Sequence, residues 1–267
     1  MDLQTFRDWL LVNGASQASA DTHVVKVASY FSQYRELTQD NLNAYLASKL
    51  NVWEGSSFNL FINAINHYKK FLKLEIEVPS YHKTNKRVKD YLTESDLNDV
   101  YAKMPLIFDE PEKKQAIFLL LFATGLRPKE ILKLKRENFN FTDKVVTIKN
   151  TKTHRDRNLA ISEELCDLLP VIFNKEEEGE NAFNLTRDSL RYIFRRINDV
   201  MPMKTKLYPY LMRTCFAHDL ISKGIKLTSL QSGMGHTNPL TTLGYLTVSE
   251  QEAQDEIRKL INKRKKK

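Results

Sequence analysis

The chain has 267 residues, of which 42% are hydrophobic and 28% are charged. This composition is typical of a soluble globular protein and excludes a disordered chain. The longest apolar run, Ala116 to Ala123, is far too short to cross a bilayer, so we expect a cytoplasmic protein without membrane spans. Cys166 and Cys215 lack metal-ligand spacing and are expected to be buried free thiols.

The net charge is +8, the isoelectric point is near 9.2, and the sequence closes on the basic run NKRKKK. An excess of positive charge favours a polyanionic partner but does not identify it. Nucleic acid is the first candidate. An acidic membrane surface is the second, and it is the weaker one because no basic amphipathic anchor stands out.

Residues 1–78 carry apolar side chains at helical spacing and are predicted to form a helical domain. The clearest helix is expected to open on Ser56 or Ser57. After Pro79 the stretch HKTNKRVK is polar, basic and without period, so residues 79–87 are predicted to be an interdomain linker. Thr93 then opens a new helix, and the second domain is predicted to cover residues 88–267.

The second domain is predicted to be mostly helical with one interruption by strands. The segments KVVTIKN, from Lys144, and NLAI flank the polar turn TKTHRDR, which predicts a β-hairpin with a long basic tip. The charged side chains assigned to this tip are Lys149, Lys152, His154, Arg155 and Arg157. A charged tip is usually only solvated, so a function requires a lysine to reach into a site from it.

One arginine is predicted to lie at a helix N-terminus. In LLFATGLRPKEILKL, Gly125 ends a buried helix and Pro128 starts the next, so Arg127 lies at the junction. Free backbone N–H groups and a guanidinium together could receive an anion there. The alternative is an ordinary arginine that pairs with Glu130.

A second arginine, Arg213, follows Tyr210 by three positions in a helix predicted over residues 209–223. Met212, Phe216 and Leu220 recur every four residues and predict the core face of this helix. Taken alone, the pattern favours Arg213 as a surface residue and Tyr210 as an aromatic residue at the edge of the core.

The segment MGHTNPLTTLGYL places Tyr245 nine positions after His236. Asn238 and Pro239 predict the start of a helix. Two threonines and Gly244 weaken that helix, the glycine alone by about 1 kcal/mol relative to alanine. The segment is therefore either a mobile arm that carries Tyr245 or an ordinary surface turn.

In their order and spacing, these motifs resemble those of the tyrosine recombinase, or phage integrase, family. That family has an arginine in the context T-G-x-R-x-x-E, a hairpin lysine, an H-x-x-R helix, and L-G-H followed nine positions later by a tyrosine. The matching positions are Arg127 with Glu130, Lys152, Arg213, His236 and Tyr245. Tyr210 stands where the family usually has histidine, as in some archaeal and archaeal-virus integrases, so that branch or a Xer-like one is suspected.

The resemblance covers roughly the whole chain and implies a mainly α protein. It implies a helical core-binding (SAM-like) DNA-binding domain and a mostly α catalytic domain with a small antiparallel β-hairpin. It also implies site-specific recombination or integration of double-stranded DNA, as mobile elements use, and a tetramer held together by the C-terminal segment, residues 250–267. The implied chemistry needs no metal, ATP or other cofactor.

The resemblance further implies how charge is handled in the site. Arg127 and Arg213 would neutralise the negative charge that grows on the phosphate, and His236 would donate a further hydrogen bond. Tyr245 would attack phosphorus and form a 3′-phosphotyrosine link. Its phenol, with a pKa of about 10, needs to lose a proton or to be stabilised as the anion.

Proton donation to the leaving 5′-oxygen is assigned by the resemblance to Lys152. Lys149 is the alternative, because the register of the hairpin is uncertain by a residue or two. Tyr210 could orient the phosphate through its hydroxyl but would be a poor base at neutral pH. Activation of Tyr245 is therefore expected to depend more on the arginines and His236.

Two other functions remain open on the sequence. A type IB topoisomerase or telomere-resolving enzyme shares the phosphotyrosine chemistry, although the chain is short for either. A DNA-binding regulator that retains the fold without catalysis is the other, and Tyr210 leaves room for it. A covalent DNA adduct that depends on Tyr245 separates the enzymes from the regulator.

Overall fold

The computed structural model describes residues 2–82, 90–149, 156–175, 179, 181–235 and 238–245. The chain divides into two compact units, Met1–Arg87 and Val88–Lys267. Most of the predicted linker and the C-terminal segment lie outside the described residues. Within the described part of the chain, no helix is both long enough and apolar enough to span a membrane.

The first unit forms helices and no strand among its described residues. Its elements are α1 (Leu3–Val12), α2 (Gln17–Phe31), α3 (Gln39–Lys49) and α4 (Gly55–Leu72). The first three helices begin where Asp2, Ser16 and Thr38 accept hydrogen bonds from backbone N–H groups of the first turn, which have no partner within the helix. The predicted helix over the apolar stripe is α4, and it begins one residue before Ser56.

Aromatic side chains fill the core of this unit. The rings of Phe6 and Tyr68 meet edge to face at 4.9 Å, and those of Tyr30 and Tyr45 do so at 5.2 Å. The buried Tyr30 hydroxyl donates to the Glu36 carbonyl at 2.9 Å, and burial raises the pKa of Tyr30 to about 12. Such large rings bury extensive apolar surface and help to hold the helices together, beside aliphatic side chains of the same core.

Two histidines meet between α2 and α4. His23 is 4% exposed, and its ring centre lies 5.0 Å from that of His67. Burial is the main cause that lowers the pKa of both imidazoles. The proximity of His67 lowers the pKa of His23 further, and the charge of Lys70 lowers that of His67. Both side chains are therefore neutral at pH 7, where the helix pair packs without a buried charge.

The second unit combines helices with one small sheet. Its described elements are α5 (Glu94–Ile107), α6 (Pro111–Thr124), α7 (Pro128–Ile131), a 3₁₀ turn (Arg136–Asn138), β1 (Phe139–Asn140), β2 (Val145–Ile148), β3 (Arg157–Ala160), α8 (Glu163–Lys175), α9 (Arg187–Val200), α10 (Pro209–Ser222), α11 (Leu227–Met234) and α12 (Pro239–Leu243). The side chain of Thr93 caps α5 in a reciprocal arrangement with Asp96, as expected for its sequence. The architecture is mainly α with a minor antiparallel sheet, as the sequence predicted.

The sheet is antiparallel with the order β1-β2-β3. The predicted hairpin corresponds to β2 and β3, with Ile148 opposite Arg157 and Val146 opposite Leu159. The two-residue strand β1 was not predicted. The assignment of Arg157 to a solvated tip is wrong, because it lies in β3 with a side chain that is only 10% exposed.

Helix α6 lies at the centre of the main core of this unit and packs against α5, α8 and α10. Its apolar side chains are buried on several sides, as the uninterrupted apolar run AIFLLLFA requires. Cys215 is buried on α10 and its Sγ accepts from the Leu92 N–H at 3.4 Å. Cys166 is a free thiol as well, but it is only half-buried, so the prediction of two buried thiols is half right.

Helix α10 is buried more completely than its sequence predicted. Leu211 to Cys215 and Ala217 are all buried, whereas Phe216 and Leu220 are only partly so. The helix packs against α6, α9 and α11, so it has no single core face. The expectation that Arg213 lies on the surface is therefore wrong, because its side chain is fully buried.

The histidine pair predicts that acid destabilises the first unit. His23 and His67 bind protons more weakly in the folded chain than in the unfolded chain, where the pKa is about 6.5. Stability is complete above that value and falls as the pH drops below it. We expect the urea midpoint, followed by the fluorescence of Trp9 and Trp53, to fall between about pH 7 and pH 5.

The variant His23→Phe removes one of the two protonation sites and should show a weaker pH dependence of the midpoint. His82→Gln changes an exposed histidine of the same unit and serves as the control. An equal pH dependence in the wild type and His23→Phe would contradict the assignment. Both tryptophans of the sequence lie in this unit, so the signal reports on it alone.

Candidate active site

Arg127 lies between the end of α6 and the start of α7. Gly125 ends α6 with φ of +59°, and the chain then turns so that Arg127 precedes Pro128 at the new helix. The Arg127 Nη1 donates to Glu130 Oε1 at 2.9 Å, and its backbone N–H donates to Oε2 at 2.7 Å. Its Nη2 donates to the Gly235 carbonyl at 3.2 Å. The ion pair with Glu130 therefore exists, and it leaves the guanidinium about one-third exposed.

Arg213 reaches the same place from α10. Its Nη1 donates to the Gly125 carbonyl at 2.6 Å, and its Nη2 donates to the Met234 carbonyl at 2.6 Å. Burial, and then the charge of Arg127, lower the pKa of this guanidinium from its ordinary value. An arginine stays protonated under such conditions, so Arg213 brings a buried positive charge to the site.

The end of α11 is the point where three arginines meet. The carbonyls of residues 233–235 accept hydrogen bonds from Arg157, Arg213 and Arg127 in that order. Carbonyls at a helix C-terminus have no partner within the helix and carry its negative partial charge. These carbonyls therefore offset the mutual repulsion of the three guanidinium groups.

Tyr245 follows α12 and is 4% exposed. It packs with Ala217, Leu230 and Met234 in a small cluster, and its hydroxyl accepts a hydrogen bond from Arg213. Burial, and then the proximity of Tyr210, raise the pKa of Tyr245, whereas the arginines oppose the shift only in part. The phenol is therefore protonated at neutral pH. The alternative of an ordinary surface turn is wrong at this position.

Tyr210 lies at the start of α10 and is 40% exposed. It interacts electrostatically with both Arg213 and Tyr245, so it borders the same site from its solvent side. His236 and Lys152 lie outside the described residues. Of the candidate residues, the structure brings together Tyr210, Tyr245 and the two arginines Arg127 and Arg213.

Lys149, the alternative proton donor, lies just beyond β2. Its side chain is 62% exposed and its Nζ lies 3.4 Å from Glu137 Oε1. Among the described contacts, none joins Lys149 to the arginines or to Tyr245. The described residues contain no group of three histidine, cysteine or acidic side chains able to hold a metal ion.

Two residues near the site, Arg157 and His218, were not predicted from the sequence to belong to it. Arg157 donates from Nε to the Gly233 carbonyl at 3.0 Å and from Nη2 to Glu130 Oε2 at 2.9 Å. Strand alternation places Arg157 on the same face as the buried Leu159, and this pattern could have revealed it. His218 stacks on Tyr91 at 3.9 Å and meets the Tyr245 ring edge to face at 6.2 Å.

His218 had no local sequence signal, because Tyr91 and Tyr245 are distant in the chain. Burial lowers the pKa of its imidazole, so the ring is neutral at pH 7. Its two aromatic contacts connect the segment before α5, the helix α10 and the end of α12.

Residues 90–252 match the model of the phage integrase family. The chain belongs to the phage integrase family. Among its relatives in that family, the tyrosine recombinase XerA of Pyrococcus horikoshii is 26% identical over an alignment that covers 96% of this chain and 92% of XerA. This XerA is thus similar to the chain over nearly its whole length.

Solved structures of integrases share the fold. The Tn1549 transposon integrase in complex with a circular intermediate DNA matches with a TM-score of 0.75 at 15% identity, over 96% of this chain and 98% of that one. A lambda integrase tetramer bound to a Holliday junction matches with a TM-score of 0.72 at 16% identity, over 91% of this chain and 75% of that one.

The junction at Gly125 yields a prediction about stability. A Cβ at this position would lie 2.3 Å from Cδ1 of Phe216, and the residue has a left-handed backbone conformation. Gly125→Ala therefore adds a steric clash to a backbone cost of roughly 1–2 kcal/mol. Gly224→Ala is the matched control, since Gly224 has φ of +82° but open space around its Cβ position.

Urea unfolding followed by far-UV circular dichroism tests this difference. We expect Gly125→Ala to lower the free energy of unfolding of the second unit clearly more than Gly224→Ala does. Equal losses for the two variants would mean that the contact with Phe216 contributes nothing.

Proposed function

We propose that this protein is a site-specific DNA recombinase that cuts and rejoins strands through a covalent link between Tyr245 and a 3′-phosphate. The proposal rests mainly on one observation. Arg127 and Arg213 donate to adjoining carbonyls at the end of α11, and Arg213 also donates to the Tyr245 hydroxyl. Two permanent cations and a potential nucleophile thus lie within one hydrogen-bonded group.

The substrate would be a phosphodiester. It carries one negative charge and gains a second as the nucleophile adds to phosphorus. Guanidinium groups donate two parallel hydrogen bonds to such oxygens and remain charged at any relevant pH. Because Arg213 is fully buried, its charge is poorly screened by water and acts strongly on a charge that develops beside it.

Tyr245 would supply the attacking oxygen. Its bond to phosphorus forms as the bond from phosphorus to the 5′-oxygen breaks, and one proton leaves the phenol while another reaches the 5′-oxygen. The raised pKa of Tyr245 means that this proton is still present before the reaction, so its loss needs help. Arg213 favours the phenolate through its charge, and His236 is assigned a further hydrogen bond to the phosphate.

The remaining roles are assigned as the sequence suggested them. Lys152 would donate the proton to the 5′-oxygen, and Tyr210 would orient the phosphate through its hydroxyl. A phenol is a poor base at neutral pH, so Tyr210 is not assigned the removal of the proton from Tyr245. The link returns its bond energy when a 5′-hydroxyl of another strand attacks, so no cofactor is assigned.

Double-stranded DNA is the proposed partner, and the net charge of +8 favours it. Residues 1–78, the linker 79–87 and the catalytic residues 88–267 would contact the duplex together. The Tn1549 and lambda integrases are seen with DNA, the latter as a tetramer. We assign a tetramer on DNA, held together by residues 250–267, and the cytoplasm as the place of action.

A suicide substrate tests the proposed chemistry. The duplex carries a nick close to the cleavage site, so that cleavage releases a short oligonucleotide and traps the protein on DNA. Because the target sequence is not known, a library of such duplexes is used and the trapped DNA is sequenced. We expect an adduct that survives denaturing electrophoresis in the wild type and is absent from Tyr245→Phe.

Tyr208→Phe is the matched control, because this nearby tyrosine is 46% exposed and has no assigned role. It should form the adduct as the wild type does. If no duplex of the library yields an adduct, a DNA-binding regulator is favoured. An adduct that persists in Tyr245→Phe would show that another residue is the nucleophile.

A further inference from the structure

Arg157 is a buried cation whose hydrogen bonds go to the surroundings of the site. It lies in β3 with a side chain that is 10% exposed, and its nearest acidic partner is Glu130 at 2.9 Å. A buried guanidinium requires a partner for its charge and for its N–H groups. The partner carboxylate, that of Glu130, also accepts hydrogen bonds from Arg127. The Gly233 carbonyl belongs to the end of α11, just before His236 in the chain.

Glu130 connects the two arginines. Its Oε1 accepts from Arg127 Nη1, and its Oε2 accepts from both the Arg127 backbone N–H and Arg157 Nη2. The carboxylate is only 18% exposed, so its position is fixed by these bonds rather than by water. The orientation of the Arg127 guanidinium therefore depends on a group that Arg157 also holds.

The charges of this group explain why a second arginine matters. Arg127 and Glu130 alone would form a neutral pair, and the carboxylate would compete with any phosphate for the guanidinium. With Arg157 added, the three side chains carry a net positive charge. Burial alone would raise the pKa of Glu130, but the hydrogen bond from Arg157 is the largest of the effects that lower it overall.

Arg157 also contacts the C-terminal end of α11. Besides its bond to the Gly233 carbonyl, it packs against Gly235, where a Cβ would lie 3.1 Å from Nη1 and 3.3 Å from Cδ. Gly235 has φ of +60° and directly precedes His236 in the chain. One side chain thus contacts both the carboxylate that orients Arg127 and the residue before His236.

We infer that Arg157 is a positioning residue for strand cleavage, which acts through Glu130 on the orientation and available charge of Arg127 and through Gly233 on the end of α11. It is not assigned a contact with DNA. The inference rests on the proposed function, since it concerns the same site. It assigns a role in cleavage to a side chain outside the matched motif residues.

Single-turnover cleavage of the suicide substrate measures this role. We expect Arg157→Gln to lower the cleavage rate constant at saturating protein by about 10²-fold, the typical effect of a small misplacement of a catalytic group. DNA affinity should stay close to that of the wild type. The urea midpoint should fall, because the ion pair with Glu130 loses one partner, so cleavage is measured under conditions in which both proteins are folded. Asp99→Asn, which breaks the exposed ion pair with Lys103 on α5 and removes no positive charge, is the control and should cleave normally.

Two comparisons separate positioning from a general loss of structure. In a double-mutant cycle, Arg157→Gln should slow cleavage less in the Glu130→Gln background than in the wild type, because residues that act through each other are not additive. On a substrate with a methylphosphonate at the scissile position, the loss should also shrink, because less negative charge then needs neutralisation by Arg127.

If Arg157→Gln does not fold, Arg157→Lys provides the measurement. A lysine keeps the positive charge near Glu130 but cannot hold two acceptors in the fixed geometry of a guanidinium. It should cleave more slowly than the wild type and show the same reduced loss on the methylphosphonate substrate.

The outcomes distinguish this inference from the proposed function. If the wild type forms no adduct, both the proposed function and the role of Arg157 are overturned. A wild-type adduct together with normal cleavage by the Arg157 variants would overturn only the role of Arg157. Additive losses in the double-mutant cycle, or equal losses on both substrates, would do the same, because Arg157 would then not act through Glu130 and Arg127.

Discussion

The bonding of guanidinium groups to the C-terminal end of α11 is the interaction on which the site depends. Arg127, Arg157 and Arg213 come from the α6–α7 junction, β3 and α10, and each donates to one of three consecutive carbonyls. Without that helix end, three cations so close together would repel one another and leave buried donors without acceptors. The helix-end carbonyls and the single carboxylate of Glu130 together offset part of this charge. Three cations against one anion leave a positive field available to an anion.

The position of Tyr245 combines burial with limited packing. Its cluster, with Ala217, Leu230 and Met234, is separate from the main core of the second unit. The preceding helix α12 has only five residues, Pro239–Leu243, which is too short to be stable by itself. Tyr245 is thus held by local contacts and by Arg213, outside the main core of the second unit. The hypothesis of a mobile arm stays a prediction, and hydrogen exchange at Tyr245 as slow as in the core would count against it.

Local sequence signals sufficed for the parts of the structure that depend on neighbouring residues. Gly125 and Pro128 placed Arg127 at a helix junction, and Thr93 placed the start of α5, because turn and cap geometry is set within a few residues. The burial of Arg213 and the role of Arg157 were not predicted. Both residues donate to backbone carbonyls at the end of α11, which is distant in the chain. The pattern of side chains does not predict where such a carbonyl will lie. Motif order brought Arg213 into the candidate site nevertheless.

Gly235, which precedes His236, is expected to tolerate few substitutions. Gly235 carries no reactive group, yet its backbone curves in a left-handed turn while its carbonyl receives Arg127 and its Cα lies against Arg157. Any larger residue there would crowd one cation and shift the acceptor of another. In a saturation screen for function, this position should therefore be as restricted as the charged residues around it, although replacing it would remove no chemical group from the reaction.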